Sequence, residues 1–271
     1  MHIVICVKMV PDTTQVSIDP KTNTLVREGV PFITNPFDTN AVEEAIRFKD
    51  KYGAYITAVS MGPPAAESVL RKALSVGADE GILLSDRAFG GADTLATSTV
   101  LGLAIKRVNE ERPVDIILCG KQTIDGDTAQ VGPGIARRMN ITQLTLVDEV
   151  IAVNQENKTI KVRRKLEGYH EVVEARMPVM MTVEREINTP RYPTVPGRLD
   201  ADEVRIKVWD NNFLKLDPNT IGLLGSPTQV RRIFAPEREK GEIMMGEGDQ
   251  KDLAVEAGFN KLIERDFVTV N

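Results

Sequence analysis

Gly120-Lys121-Gln122-Thr123-Ile124-Asp125-Gly126-Asp127-Thr128-Ala129-Gln130-Val131-Gly132 follows an apolar run, Val114-Asp115-Ile116-Ile117-Leu118-Cys119. The run reads as a buried parallel strand ending in glycine. A helix is expected to follow, from Thr128 to Met139. A strand that delivers small and hydroxylated residues to a helix start is where an open α/β sheet presents backbone N–H groups to a phosphate. An ordinary strand–helix turn with an aspartate cap would use the same small residues. Gln122, Asp125 and Asp127, taken with two further segments, tip the reading towards a nucleotide site. Pro133 falls inside the expected helix, which therefore either kinks or begins near Gly132.

Outward from this stretch, strands and helices alternate through the first half, the pattern of a parallel sheet covered on both faces. Ile3–Val7, Tyr55–Met61 and Gly81–Leu84 are expected strands, and Val16–Ile18 with Leu25–Val26 an inserted hairpin around the turn-rich Asp19–Asn23. Asn40–Tyr52 has helical spacing with Asp38 or Asn40 as its cap. Pro63-Pro64 opens a helix that runs to Val76 and is stopped by Gly77. Asp93 caps Thr94–Glu110, whose Leu95, Val100, Leu101, Leu103, Ala104 and Val108 form an apolar stripe. From Leu144 the character changes. Leu146–Val153 and Thr159–Lys165 read as an antiparallel hairpin, with strands near Glu171–Ala175 and Val179–Val183 after it. Residues 186–197 hold prolines and no periodicity, as an extended surface segment does. Ala201–Lys207 reads as a short helix and Lys251–Arg265 as a final amphipathic one. The Gly- and Pro-rich stretch between them is either disordered or laid along another protein, and its scattered Leu, Ile, Phe and Met favour the second.

The 34 basic and 39 acidic residues leave a net charge of −5, which removes the electrostatic footprint of nucleic-acid binding. The basic run Lys158–Lys165 interleaves Ile160 and Val162, as a strand with one solvated face does. A hydrophobic share of 42% and a charged share of 27% are those of a soluble chain with a real core. No apolar run approaches the roughly 18 residues needed to cross a bilayer. Met1–Lys8 reads as the first strand rather than a signal peptide, since it lacks a basic n-region. Cys6 and Cys119 fall in expected buried strands, which points to a reducing, cytoplasmic setting without disulfides. His2 and His170 are the only histidines and neither sits as an obvious base. Packed thiols are therefore favoured over a nucleophile, and a His/Cys metal site is disfavoured.

Several segments, in order and over nearly the whole chain, together resemble the beta subunit of an electron-transfer flavoprotein. They are Val7–Thr13, Asn35-Pro36-Phe37-Asp38, Ser60-Met61-Gly62-Pro63, the Gly120–Gly132 loop and Asn188-Thr189-Pro190-Arg191-Tyr192-Pro193-Thr194-Val195-Pro196. The resemblance implies a Rossmann-like, open, mainly parallel α/β sheet with helices on both faces, an added β-hairpin and an extended C-terminal arm. It also implies a larger alpha subunit as partner in a heterodimer. The nucleotide-binding domain would span 1–207, with a docking loop near 186–200, and the arm at 208–271 would pack on the alpha subunit. Carried over residue by residue, Cys6 and Lys8 contribute main-chain contacts, Asn35, Pro36, Phe37 and Asp38 line an adenosine, and Met61 packs near the adenine. Gly120, Gln122, Asp125, Gly126, Asp127, Thr128, Ala129, Gln130 and Val131 hold ribose and phosphates. The physics agrees, because helix N-termini favour anions and Asp125 or Asp127 can accept from ribose hydroxyls.

Asp86–Ser98 joins a glycine pair, Gly90-Gly91, to a hydroxyl-rich helix start; a plain aspartate-capped helix would look alike. Its Gly-Ala-Asp-Thr-x-Ala-Thr form resembles the electron-bifurcating group, which implies a whole FAD where other members keep AMP. Asp93, Thr94 and Thr97 would then meet the diphosphate. Leu216–Thr228 resembles the same group, and Arg198–Glu203 departs from the lysine cluster of the AMP-binding type. The implied function is to bind FAD and NADH and split the electron pair. One electron would go to a low-potential acceptor such as ferredoxin. The other would pass through the alpha-subunit FAD to an acyl-CoA or 2-hydroxy acid dehydrogenase. Arg87 and Phe89 are candidates for contacts near the isoalloxazine or nicotinamide, and no side chain is assigned as a general base. Arg191, Tyr192 and Val195 belong to the docking loop, with Val195 matching its anchor. Two alternatives stand beside this reading: an AMP-binding one-electron shuttle, and a nucleotide-binding sensor or adenylate-handling protein on a similar sheet.

Overall fold

The computed structural model describes residues 1–12, 17–18, 25–26, 31–229, 250–265 and 267. Its strands and helices are β1 (His2–Cys6), β2 (Met9–Pro11), β3 (Ser17–Ile18), β4 (Leu25–Val26), β5 (Phe32–Thr34), α1 (Pro36–Tyr52), β6 (Tyr55–Met61), α2 (Glu67–Ser75), β7 (Glu80–Leu84), α3 (Thr94–Glu111), β8 (Ile116–Gly120), α4 (Val131–Met139), β9 (Thr142–Asn154), β10 (Thr159–Leu166), β11 (Tyr169–Arg176), β12 (Val179–Val183), α5 (Val195–Glu203), β13 (Lys207–Trp209), α6 (Asn211–Leu214) and α7 (Lys251–Glu264). Along β1 the side chains alternate between two apolar layers, as strand geometry requires. Ile3 and Ile5 pack with α1, α2 and α5, while Val4 and Cys6 pack with α3 and α4. A strand apolar on both faces belongs in the middle of a covered sheet. β1 lies there, in a nine-stranded sheet ordered β11-β10-β9-β12-β8-β1-β6-β7-β13. Strands β9, β12, β8, β1, β6, β7 and β13 run parallel, and β10 is antiparallel to both β9 and β11. The open, mainly parallel α/β architecture is the one expected.

Several local expectations shift. Helix α1 begins at Pro36, whose fixed φ and missing N–H suit a first turn, so Asp38 and Asn40 lie inside the helix, buried, rather than capping it. In α3 the Asp93 cap is as expected, but Leu95 is 48% exposed and Ala96 and Ile105 take its place in the apolar stripe. Helix α4 starts at Val131, not Thr128, which puts Pro133 in the first turn without a kink. The short helix expected over Ala201–Lys207 lies earlier, at Val195–Glu203, because Thr194 caps it by accepting from Gly197 N and Pro196 suits its start. Lys207–Trp209 is instead a strand on the sheet edge beside β7. Residues 186–197 are accordingly less irregular than expected: Arg185–Ile187 forms a 3-10 turn, and Val195–Gly197 is already helical.

The inserted hairpin is present as the antiparallel pair β3 and β4; Val16 and Asp19–Asn23 lie outside the described residues. So does part of the arm, at 230–249. Two compact units divide the chain, Met1–Arg232 and Ile233–Asn271, and the boundary expected after residue 207 falls within β13. In the second unit α7 matches the final helix, with Leu253, Val255, Phe259 and Leu262 exposed. Among the described residues no helix is long and apolar enough to cross a membrane.

Candidate functional site

From β1 the chain builds β6 and β7 outward on one side, then crosses to β8 on the other. The reversal leaves a crevice at the carboxyl ends of β1 and β8, the place where open α/β sheets bind ligands. A cleft of about 930 Å³ opens there, near the upper end of the range for small-molecule sites. Cys6 and Cys119 are register partners on β1 and β8 and form part of its floor. Hydrogen bonding to Cys6, then burial, pushes the Cys119 thiol up, as suits a packed thiol rather than a nucleophile.

One wall is the loop from Gly120 to Gln130. Asp38, buried in the first turn of α1, ties this wall to the sheet. Its carboxylate accepts from Lys8 N at 2.8 Å and from Gly120 N at 3.2 Å, joining the ends of β1 and β8. Burial pushes its pKa up to about 7, against the lowering effect of those N–H groups. A Cβ at position 120 would run into Asp38 and Phe37, so only glycine fits. Farther along, Asn35 donates to Gln122 O at 2.8 Å and accepts from Ile124 N at 3.3 Å. Lys8 pairs with Asp125 at 2.7 Å, and Gln122 donates to Asp127 at 2.8 Å. Asp127 and Ala129 have left-handed backbones, at φ 50° and 54°. The loop ends at α4, whose N-terminus has no side-chain cap and whose Gln130, Val131 and Gly132 face the cleft. An uncapped helix start with the dipole behind it suits an anion.

The facing wall is the glycine loop Ser85–Asp93. Asp86 accepts from Ala88 N, and Asp93 caps α3 by accepting from Leu95 N and Ala96 N at 2.9 and 3.0 Å. Desolvation raises the Asp93 carboxyl, but hydrogen bonds from Ala96 and Thr228 outweigh it and hold it below the usual range. Thr94 and Thr97 line the cleft, and Thr94 Oγ1 reaches Gln130 Oε1 on the opposite wall at 2.9 Å. Glycines on both walls, an uncapped helix start and threonine hydroxyls make a donor set that fits a pyrophosphate-bearing nucleotide.

Of the residues assigned from sequence, the structure brings Cys6, Lys8, Asp38, Met61, Asp93, Thr94, Thr97, Gly120, Gln122, Gly126, Thr128, Ala129, Gln130 and Val131 to the cleft lining, together with Arg87 and Phe89. Arg87 is exposed at the mouth and Phe89 is buried in the α3 layer. Asn35, Pro36 and Phe37, expected against an adenosine, stand outside the lining; Asn35 is fully buried and braces the loop from behind. Asp125 and Asp127 also lie off the lining, engaged by Lys8 and Gln122. Ser85, Leu101 and Lys121 line the cleft without having been expected there. Only the position after β7 gave a sequence signal for Ser85. Among the described residues no His, Cys, Asp and Glu cluster could hold a metal.

The residues expected in a docking loop lie apart from the cleft lining. Arg191 makes a forked pair with Glu43 at 2.9 and 3.1 Å and reaches Asp50 at 2.8 Å, which raises its pKa further. It fastens the segment to α1. Asn188 does the same through Asn40 and Glu44. Beyond these anchors Tyr192 and Val195 are 93% and 73% exposed.

Residues 22–214 match the electron transfer flavoprotein domain family. The chain is 47% identical over 266 residues to "Protein FixA" of Azotobacter vinelandii, covering 97% of this chain and 94% of that one. It is 48% identical over 245 residues to "Electron transfer flavoprotein subunit beta" of Clostridium acetobutylicum, covering 90% and 92%. It is also 48% identical over 246 residues to "Caffeyl-CoA reductase-Etf complex subunit CarD" of Acetobacterium woodii, covering 90% and 92%. The chain therefore belongs to the electron transfer flavoprotein family, as a beta-subunit member, where its sequence resemblance had placed it.

Proposed function

We propose that this beta subunit binds FAD in the cleft, takes electrons from NADH and divides them between two acceptors. A low-potential carrier such as ferredoxin receives one. The alpha-subunit flavin receives the other and passes it to a partner dehydrogenase of the acyl-CoA or 2-hydroxy acid class. The observation that carries this reading is the pairing of two phosphate-friendly walls, at α4 and at the glycine loop, across a single large cleft. A monophosphate would need only one of them. The name of the CarD relative, part of a caffeyl-CoA reductase complex, supports an acyl-CoA-type partner.

The bound flavin would supply hydride acceptance and one-electron release. This chain's part is to hold and orient it. The Asp38 bridge fixes the strand ends, the first turn of α4 offers N–H groups to one phosphate, and Thr97 offers its hydroxyl to the next, joined by Thr94 once its hydroxyl turns from Gln130 Oε1. The apolar floor limits water beneath the ring system. Arg87 at the mouth provides positive charge where a nicotinamide nucleotide would approach. Cofactor extraction from the purified heterodimer, followed by anaerobic NADH titration, tests the proposal. Two FAD per heterodimer, with bleaching by NADH, is the expected result. One FAD plus AMP would favour a one-electron shuttle, and a colourless chain with no alpha partner would favour a nucleotide sensor.

A further inference from the structure

The glycine-loop wall is held in place by the returning arm, residues 209–228. Two carboxylates are each divided between wall and arm. Asp86 accepts from Ala88 N in the wall and from Asn211 N in the arm, both at 2.9 Å. Asp93 uses one oxygen to cap α3; the other accepts from Thr228 N at 3.1 Å and Thr228 Oγ1 at 2.7 Å. The Asp93 N–H donates to Ser226 Oγ at 2.8 Å, and that buried hydroxyl donates to Gly222 O at 2.6 Å. Backbone meets backbone between them: a Cβ at Gly222 would strike Ala88 O, and one at Gly91 would press on Leu223. The arm is itself anchored, with Trp209 and Ile221 buried in the α3 layer.

With both oxygens engaged, Asp93 acts on a ligand through the position of the loop. We propose that this arm is a brace for the glycine-loop wall, and that Thr228 is a positioning residue favouring a pyrophosphate-bearing dinucleotide over a nucleoside monophosphate. The inference rests on the nucleotide reading of the cleft. A monophosphate is held at the Gly120 wall, which Asn35, Asp38 and Lys8 secure, whereas a dinucleotide must also use the braced wall.

The test is titration of the nucleotide-free full chain with FAD and, separately, AMP, for wild type, Thr228→Val and Thr228→Ser. Thr228→Val should weaken FAD roughly tenfold, the scale of one hydrogen bond to a charged group, and leave AMP within about twofold. Thr228→Ser, which keeps the hydroxyl, should restore FAD binding, and retained AMP binding reports that the variant is folded. The brace is overturned if FAD affinity is unchanged in Thr228→Val, or if FAD and AMP weaken together. Wild type that takes up no FAD overturns the FAD reading of the cleft and the brace with it, which separates the two failures.

Discussion

Asp38 shows how one side chain serves both stability and the cleft. Two backbone N–H groups, of Lys8 and Gly120, converge on its buried carboxylate. In Asp38→Asn the amide NH₂ faces one of those donors, so urea unfolding should register a loss of about 1–3 kcal/mol. The pH dependence has a definite sign. Burial raises the folded pKa to about 7 from an ordinary 3.8, so the folded chain binds this proton more tightly than the unfolded one. The carboxyl's contribution is fully present below 3.8 and is lost as pH rises through about 7. The urea-midpoint gap between wild type and Asp38→Asn should therefore narrow between about pH 5 and pH 8. A widening gap would refute the assignment. His2 runs the other way: burial lowers its pKa from 6.5, so its contribution is lost as pH falls below that value. Comparison with the variant cancels that opposing trend.

Among the elements, α4 is packed too closely to take a single added methyl. Its Gly132 lies against β12, where a Cβ would meet Thr182 Cγ2 at 2.6 Å and Met180 Sδ at 3.2 Å. The backbone there is helical and accepts alanine, so the cost of Gly132→Ala is one of packing. Thermal or urea unfolding should show about 1–3 kcal/mol of destabilisation. Nucleotide affinity should fall with it, because the helix start that faces the cleft must move outward. Normal affinity in a destabilised variant would mean that the first turn of α4 is not an anion site. The elements also show where sequence was legible. The caps Asp93 and Thr194 act on N–H groups two or three residues away. Asp93 can therefore be read directly, whereas the prolines around Thr194 mask its cap. Residues 201–207 could not be assigned from their own pattern, because only pairing with β7 makes Lys207–Trp209 a strand.

At the scale of the whole molecule, the cleft and the proposed docking segment are held by different contacts, so they should separate in a variant. Val195 is exposed at the start of α5, while Arg191 anchors the segment to Glu43 and Asp50 on α1. Val195→Ala should slow electron delivery to the dehydrogenase several-fold while NADH-driven flavin reduction keeps its rate; an unchanged coupled rate would count against docking there. The sequence alone determined the alternating strands and helices, the buried strands on either side of the cleft, the glycine loops and the family. These follow from burial periodicity, caps and turn chemistry, all of which act within a few residues. Tertiary structure alone decided that Asn35 braces the Gly120 wall from behind and that Asp38 bridges β1 and β8. It alone brought Thr228 back to Asp93, 135 residues away along the chain. Such contacts leave no local trace, since they depend on which strand ends and loops the packed sheet brings together.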